Sequence, residues 1–355
     1  MRKTSILILY NEVMGYLLAG LRTFYRQYPD IQIHLFELDS NKLTPFHFDD
    51  SRLHYYKKSN YKSFSSFKNI CDEISPSLLI VSGRSNNHYL KIAKMYRKKI
   101  LTVSIQDSQD DHTLKVFFKS ITAPVFYHPY FTCIWTIGPY GNSLAHKLWY
   151  RKEDIYNFCL TADTEIYHID SELISKEKQR QILYVGRFSD EKNITSLIEV
   201  FKKVNRQQTV KWKLILVGNG NLENHLTDMN DIEICPFKNA NELKILAREA
   251  DIFCLPSLYE PWGVVVHEFA ALGKALLIST KCGSRQTFLI DGFNGFSFKP
   301  TDPTDLEAKL KFLISLSDEK LLQFKKNSIL LSKQISPLLW AAQLNSLYQR
   351  SINGN

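Results

Sequence analysis

The chain has 355 residues, and 44% of them are hydrophobic, which is enough for two globular domains with buried cores. Its formal net charge of +9 favours an anionic partner, such as a phosphate-bearing substrate, an anionic membrane surface or nucleic acid. The six cysteines form no Cys-x-x-Cys pair, and no His/Cys cluster has zinc-ligand spacing, which argues against a structural zinc site. No apolar run reaches the roughly 18 residues that span a bilayer, and the first apolar run is too short for a signal peptide. We therefore expect a cytoplasmic protein, and peripheral attachment to the inner face of the membrane is an open alternative.

In the first half of the chain, short apolar runs alternate with segments of helical periodicity. The runs predict strands at Ser5–Leu9, Ile31–Leu35, Leu53–Tyr56, Leu78–Val81, Ile100–Ile105, Cys133–Ile137 and Ile155–Leu160. Helices are predicted between them, for example at Gly15–Arg26 and Tyr89–Arg97. Strands that alternate with helices are typical of a parallel, doubly wound sheet.

Ligands of doubly wound sheets bind at the carboxyl ends of the strands. In the first half, the segments at those ends are Asn11–Gly15, Ser82–Arg84, Gln106–Asp111 and Gly138–Gly141. The stretch Lys91–Lys99 is strongly basic, and it is either a solvated helix face or a docking patch for anionic lipid headgroups.

The second half repeats the alternation. Strands are predicted at Ile182–Val185, Trp212–Val217, Ile232–Cys235, Ile252–Leu255, Ala275–Ser279 and Phe296–Phe298. Helices are predicted at Ile194–Asn205, Glu242–Glu249, Val264–Leu272, Asp305–Ser315, Asp318–Ser332 and Pro337–Tyr348. The polar stretch Asp170–Arg180 indicates a linker, so we predict a first domain at 1–165, a linker at 166–180, a second domain at 181–334 and a terminal helix at 335–355.

Glu260 and Glu268 bracket a Glu-Pro-Trp-Gly turn and the start of a predicted helix. Pro261 keeps the residue before it extended, and Gly263 leaves room for another molecule near the backbone. From Val264 onward the helix presents amides that have no partner within the helix. Carboxylates accept hydrogen bonds from sugar hydroxyls and helix N-termini favour phosphate, so the segment suits a ligand that carries both. Two glutamates around a helix start also occur for purely structural reasons.

Two cations follow the strand Ile182–Val185. Arg187 stands at its carboxyl end, and Lys192 comes five residues later. A guanidinium and an ammonium group can share a diphosphate, and no Asp-x-Asp motif suggests a metal bridge to one. Glycine-rich turns accompany these strand ends at Gly186, Gly218 and Gly220, and Asn219 lies between the last two.

These motifs occur in a fixed order, in the segments 183–193, 214–220, 254–268 and 291–295. Together they resemble the nucleotide-sugar domain of the retaining GT-B glycosyltransferases of family four, the group 1 glycosyl transferases of the bacterial polysaccharide type. The resemblance is strongest over Gln181–Pro300. It implies two doubly wound, Rossmann-like α/β domains that face a cleft, with a C-terminal helix that crosses back onto the first domain.

The resemblance also implies roles for single residues. Glu268 would accept hydrogen bonds from the ribose, and Glu260 would lie near the transferred sugar. Arg187 and Lys192 would hold the diphosphate, so the expected catalytic residues are Arg187, Lys192 and Glu260. The donor would be bound by Gly186, Gly218, Asn219, Gly220, Glu260, Pro261, Trp262, Gly263, Val264 and Glu268. No metal or other cofactor is expected.

The first half departs from the family pattern. Where members carry a histidine after a first-domain strand, this chain has Gln106, followed by Asp107. His112 is a second candidate for that place, or an ordinary surface histidine. The first loop has Gly15 as its single glycine, where members have adjacent glycines. We therefore place Gly15, Gln106, Asp107 and His112 on the acceptor side.

The sequence thus predicts a retaining, metal-independent glycosyltransferase. It would move a sugar from a nucleoside diphosphate donor, UDP-linked by expectation, to a glycan or lipid-linked glycan in surface polysaccharide synthesis. The alternatives are a catalytically silent nucleotide-sugar-binding subunit of a glycan assembly complex, and a GT-B epimerase or phosphorylase. A nucleic-acid binder is disfavoured because basic and aromatic residues do not interleave in a known module.

Overall fold

A computed structural model describes residues 5–38, 52–111, 113–174, 177–223, 226 and 229–354. The chain divides into two compact units. The first contains residues 1–161 and 335–355, and the second contains residues 162–334. The predicted segments 166–180 and 335–355 therefore belong to the second and the first unit respectively.

The described part of the first unit forms a parallel sheet with the order β3-β2-β1-β4-β5-β6-β7. Its strands are β1 (Ser5–Tyr10), β2 (Gln32–Glu37), β3 (Leu53–Lys57), β4 (Leu78–Ser82), β5 (Leu101–Ile105), β6 (Cys133–Trp135) and β7 (Ile155–Tyr156). Its helices are α1 (Gly15–Gln27), α2 (Phe64–Ile74), α3 (Asn87–Tyr96), α4 (Leu114–Phe126), α5 (Gly138–Lys147) and α12 (Pro337–Asn353). The central strands β1, β4 and β5 are almost entirely buried, as expected of strands covered by helices on both faces.

Two predictions in this unit are corrected. The strand predicted at Ile155–Leu160 is only two residues long, because Phe158 has a left-handed φ of +65° that an extended strand does not allow. The loop predicted at Gly138–Gly141 is instead the first turn of α5. A side chain at Gly141 would lie 2.2 Å from the Thr136 hydroxyl, so glycine here permits close helix packing.

The C-terminal helix α12 packs on the first unit, as the sequence predicted. The Trp340 ring lies over Gly20 of α1, where an added Cβ would approach the ring to 2.4 Å. Its indole N–H donates to the Cys159 carbonyl at 3.0 Å. Near the end of α12, Arg350 Nη2 lies 2.7 Å from the Asp154 carboxylate. Packing and an ion pair therefore both hold this helix in place.

In the second unit, the sheet order over the described residues is β10-β9-β8-β11-β12-β13, again parallel. The strands are β8 (Gln181–Val185), β9 (Lys213–Val217), β10 (Ile232–Cys235), β11 (Ile252–Leu255), β12 (Ala275–Ser279) and β13 (Gly295–Phe298). The helices are α6 (Ile194–Arg206), α7 (Ala240–Glu249), α8 (Val264–Ala271), α9 (Arg285–Phe288), α10 (Pro303–Ser315) and α11 (Asp318–Ser332). The predicted class, two parallel-sheet α/β domains of the GT-B type, is confirmed.

Candidate functional site

The loop between β11 and α8 is braced by the loop after β12. The Glu260 amide donates to the Lys281 carbonyl, and the Glu260 carbonyl accepts from the Gly283 amide, both at 3.1 Å. The Ser284 amide donates to the Trp262 carbonyl at 2.9 Å. Backbone hydrogen bonds therefore fix the Glu-Pro-Trp-Gly turn before any ligand binds.

Gly263 makes this turn possible. Its φ of +84° lies in the left-handed region, and an added Cβ would come 2.9 Å from the Glu260 Cγ and 3.0 Å from the Cys282 sulfur. Only glycine combines that backbone conformation with that closeness. The close contacts at Gly263 are with the chain's own side chains, and the approach of another molecule to its backbone stays a prediction.

Lys192 and Glu260 form an ion pair between Nζ and Oε2. Both side chains are mostly buried, with 12% and 14% of their surfaces exposed. The Leu258 amide donates to the Glu191 carbonyl at 2.8 Å, which ties the turn that carries Lys192 to the loop that carries Glu260. The pair thus joins the carboxyl ends of β8 and β11. An ammonium group has three donors, so Lys192 can hold Glu260 and still reach an anionic ligand.

Arg187 has a different carboxylate partner. Its guanidinium lies 3.3 Å from the Glu191 carboxylate, and its side chain is 76% exposed. The main chain around it is held by the Tyr184 hydroxyl, which donates to the Arg187 carbonyl at 2.7 Å. The two predicted diphosphate cations are therefore paired separately, and Arg187 is free to move toward a ligand at low cost because exposed ion pairs contribute little.

Helix α8 begins at Val264 without a side-chain cap. Its first amides have no acceptor within the helix, and the positive end of the helix dipole lies there. The Trp262 side chain is only 2% exposed and packs edge-on against Phe288, with ring centroids 6.1 Å apart. Pro261 has no amide hydrogen, so this segment offers a ligand main-chain N–H groups rather than the indole ring.

Glu268 lies one turn inside α8. Burial is the main cause that raises the pKa of its carboxyl to about 8, and the charge of Asp163 adds to it. Within the described residues no group donates a hydrogen bond to this carboxylate. Burial likewise raises the pKa of Tyr167, with Glu268 and Asp163 contributing. Glu268 is partly exposed, so its carboxyl is accessible to accept hydrogen bonds from ligand hydroxyls.

His267, next to Glu268, anchors the helix. Its Nδ1 accepts the Ala162 amide at 3.0 Å, and its Nε2 lies 2.9 Å from the Ser332 carbonyl. A carbonyl accepts only, so Nε2 carries the proton and the ring is neutral. Burial lowers the pKa of His267 to about 4, which agrees with that state. The ring therefore orients α8 and holds Glu268 in position.

The glycine-rich turns pack two strand ends together. A Cβ on Gly218 would lie 1.9 Å from the Gly186 carbonyl oxygen, and one on Gly220 would lie 2.2 Å from the Phe188 oxygen. The Asn219 side chain accepts the Phe237 amide at 2.9 Å. The contacts of Gly186, Gly218, Asn219 and Gly220 are thus internal to the second unit, and their donor-binding role stays a prediction.

Part of the chain matches a known protein family. The model of the family Glycosyl transferases group 1 matches residues 168–330. Residues 168–330 form a glycosyl transferases group 1 domain.

Two similar proteins are also named as glycosyltransferases, one similar over this domain and one over most of the chain. An uncharacterised glycosyltransferase of Methanocaldococcus jannaschii is 28% identical over 138 residues, which is 37% of this chain and 35% of that protein. The match thus spans about a third of that relative's length. A Campylobacter jejuni protein named GalNAc-alpha-(1->4)-GalNAc-alpha-(1->3)-diNAcBac-PP-undecaprenol alpha-1,4-N-acetyl-D-galactosaminyltransferase is 22% identical over 303 residues, 84% of this chain and 80% of that one.

A solved structure shares the fold. The HepE protein of Anabaena, in complex with UDP and glucose, superposes with a TM-score of 0.69 at 16% identity, over 97% of this chain and 98% of that one. At that identity the likeness concerns the fold of the glycosyltransferase domain and of the first unit.

The acceptor-side candidates lie in the first unit. Gly15 is the first residue of α1. Gln106 is 8% exposed, and its amide lies 3.3 Å from the Ser104 hydroxyl, so it turns into the sheet. Asp107 follows it and is exposed. His112 lies outside the described residues. Neighbouring polar groups are also engaged, since Ser143 and Lys147 hold the buried Asp110 carboxylate at 2.7 and 2.9 Å.

Sequence reasoning missed Asp163, Tyr167 and His267. Asp163 and Tyr167 fall near the predicted end of the first domain, about a hundred residues before Glu268, and no spacing rule connects them. His267 could have been found as the neighbour of Glu268. Over the described residues, no group of three or more His, Cys, Asp and Glu side chains could hold a metal ion. No helix in that part of the chain is long and apolar enough to cross a membrane.

Proposed function

We propose that the protein is a retaining, metal-independent glycosyltransferase that moves a sugar from a UDP-sugar to a glycan or lipid-linked glycan acceptor. The observation that carries the proposal is one arrangement in the second unit. The Lys192–Glu260 pair, the uncapped start of α8 and the Glu268 carboxyl follow one another along a braced turn and helix. This order matches the sugar, diphosphate and ribose of one ligand.

Each part of that ligand has a chemical counterpart. Glu268 would accept the ribose hydroxyls, and the α8 amides with Lys192 and Arg187 would hold the diphosphate. Glu260, held in place by its ion pair with Lys192, would accept hydroxyls of the transferred sugar. The UDP preference rests on the Anabaena neighbour, whose structure holds UDP and glucose.

In the proposed reaction, the bond between the anomeric carbon and the diphosphate oxygen breaks. The acceptor oxygen forms the new bond on the same face of the sugar, and its proton passes to the departing phosphate. Negative charge grows on the diphosphate in the transition state. Lys192 and the start of α8 would stabilise that charge in place of a metal.

The proposed acceptor is a glycan that is carried on a lipid. The Campylobacter relative carries an undecaprenol-linked acceptor in its name, and the first unit offers polar loops at its sheet edge. We place acceptor binding at Asn11–Gly15 and Gln106–Asp111, in a cytoplasmic protein that works on surface polysaccharide.

One observation favours a second candidate, the silent nucleotide-sugar-binding subunit. Gln106 stands where the family carries a histidine, and its amide contacts Ser104 instead of solvent. If the first unit lacks the group that completes transfer, the second unit would still bind the nucleotide sugar.

The test is a panel of nucleotide sugars, first for thermal stabilisation and then for turnover with glycan acceptors in excess EDTA. A bound donor at about 100 times its dissociation constant should stabilise the fold by about 2.7 kcal/mol. Transfer that persists in EDTA supports the proposal. Donor binding with no transfer to any acceptor favours the silent subunit, and activity that requires added manganese or magnesium contradicts the metal-independent mechanism.

A further inference from the structure

Helix α4 of the first unit exposes an apolar stripe to solvent. Five large apolar side chains of this helix are 58–77% exposed: Leu114, Phe117, Phe118, Ile121 and Val125. Their spacing places them on one side of the helix. The opposite side, with Val116 and Ala123, is buried in the core. The helix is therefore apolar on both sides, and monomeric proteins rarely leave such a patch uncovered.

A tryptophan extends the stripe. Trp149 is 65% exposed, and its indole N–H donates to the Ser120 carbonyl of α4 at 3.0 Å. Its φ is +67°, a left-handed conformation that is an outlier for a bulky residue. Strain that holds a large aromatic ring in water against a helix indicates a function for that ring. Tryptophan is the residue that concentrates at membrane interfaces, where one side is apolar and the other is wet.

The charges around the stripe are positive. The sequence of α4 contains Lys115 and Lys119 and no acidic residue. Helix α3 packs into the same core cluster as α4, on the same side of the sheet. It exposes the basic residues Lys91 and Lys94, part of the stretch for which the sequence left a lipid-docking role open. A second copy of this chain would bring like charges together, whereas an anionic bilayer complements them.

We propose that α4 and Trp149 dock the protein onto an anionic lipid bilayer. The apolar stripe would enter the boundary between headgroups and acyl chains, with the lysines of α3 and α4 against the phosphates. This surface begins at Leu114, close in sequence to the polar loop Gln106–Asp111. The inference goes beyond the proposed reaction and does not depend on it, because it concerns only the first unit and lipid.

The test is sedimentation of the full chain with vesicles, without donor or acceptor. Vesicles of phosphatidylglycerol and phosphatidylcholine are compared with vesicles of phosphatidylcholine alone. The double substitution Phe118→Gln with Ile121→Gln should weaken binding to the anionic vesicles at least about tenfold, since two apolar contacts are lost. Ile245→Gln is the matched control, because Ile245 is a 61% exposed residue of α7 in the second unit, and it should bind as the wild type does.

A second pair of substitutions tests the charges. Lys115→Gln with Lys119→Gln should weaken binding about fivefold for each lysine, and added salt should weaken the wild type in the same direction. The proposal is overturned if the wild type ignores anionic vesicles, if it binds neutral vesicles equally well, or if the Phe118/Ile121 variant binds unchanged. It is also overturned if light scattering shows that this variant converts a dimer into a monomer, since a second copy would then cover α4.

Discussion

The two sheets of the molecule follow the same doubly wound plan, yet their carboxyl edges differ. In the second unit, the edge holds Lys192 and Glu260 in a mostly buried pair and keeps the Glu268 carboxyl without a donor. In the first unit, Gln106 turns onto Ser104 inside the sheet. The same topology therefore gives two edges with different polar groups.

The difference lies in what satisfies the polar groups. At the first edge, Ser143 and Lys147 hold the buried Asp110 carboxylate, and the buried Gln109 Oε1 has no hydrogen-bond partner among the described residues. At the second edge, backbone hydrogen bonds fix the loop while its charged groups and helix amides keep capacity for a ligand. The second edge therefore has the charged groups and helix amides that the proposed donor site requires.

The largest expected effect comes from Lys192→Ala. It removes a cation where the leaving diphosphate gains charge and leaves Glu260 unpaired. Groups of this kind contribute roughly 2.7–4 kcal/mol, so kcat should fall about 10²–10³-fold. Lys203→Ala is the control. Lys203 Nζ lies 2.6 Å from the Glu307 carboxylate, in an ion pair that is remote from the site. Steady-state kinetics with donor and acceptor measures both. An unchanged kcat in the Lys192 variant would remove this lysine from the mechanism.

Gly218→Ala tests whether the second edge needs its tight turn. The new Cβ would lie 1.9 Å from the Gly186 carbonyl oxygen, and backbone must move to admit it. We expect a loss of about 3 kcal/mol in the free energy of unfolding. Gly292 also has a positive φ, +77° against +155° at Gly218, but a Cβ there would meet nothing within 4 Å, so Gly292→Ala should cost about 1–2 kcal/mol. Urea denaturation compares them. Equal losses would show that backbone strain alone, and not the contact with Gly186, explains the glycine.

A smaller effect concerns pH. Because burial raises the pKa of Glu268 to about 8 in the folded state, its contribution to stability is present below pH 4.5 and is lost as the pH rises toward 8. Glu268→Gln has no such ionisation. One pH unit between the two pKa values removes about 1.4 kcal/mol, and 1 kcal/mol shifts the Tm of a unit of this size by about 2–4 °C. Between pH 5 and 6 the wild-type Tm should therefore fall relative to the Gln variant by about 2–5 °C. Parallel Tm profiles from calorimetric scans would show that Glu268 ionises normally.

Strands could be predicted well from the sequence where periodicity was strong. Ile252–Leu255 and Ala275–Ser279 have the predicted bounds, because buried parallel strands are continuous apolar runs between turn residues. The edge strand Ile232–Cys235 also has the predicted bounds, although Glu233 interrupts its apolar run. The predicted strand at Ile155–Leu160 was too long, since the left-handed φ of Phe158 leaves no periodic signal. Local patterns thus report burial and miss a single backbone outlier.

The site was predictable where residues are close in sequence. Glu260, Gly263 and Glu268 share one loop and helix, so their order predicted one site. The Lys192–Glu260 pair joins residues 68 apart, and its geometry depends on the parallel pairing of β8 and β11. The exposure of Phe118 was beyond sequence reasoning too, because an apolar helix face predicts burial unless the packing around it is known.

The most direct test of the account is calorimetric titration of UDP into the wild type, Glu268→Gln and Asp107→Asn. The account predicts that, in a titration above pH 8 where the Glu268 carboxyl is ionised, Glu268→Gln weakens UDP binding by roughly 1–3 kcal/mol, because a charge-assisted acceptor of the ribose is lost. Asp107→Asn, in the first unit, should leave UDP affinity unchanged. If both variants lose UDP affinity equally, or if Glu268→Gln binds UDP as the wild type does, the assignment of the donor to the second unit is wrong.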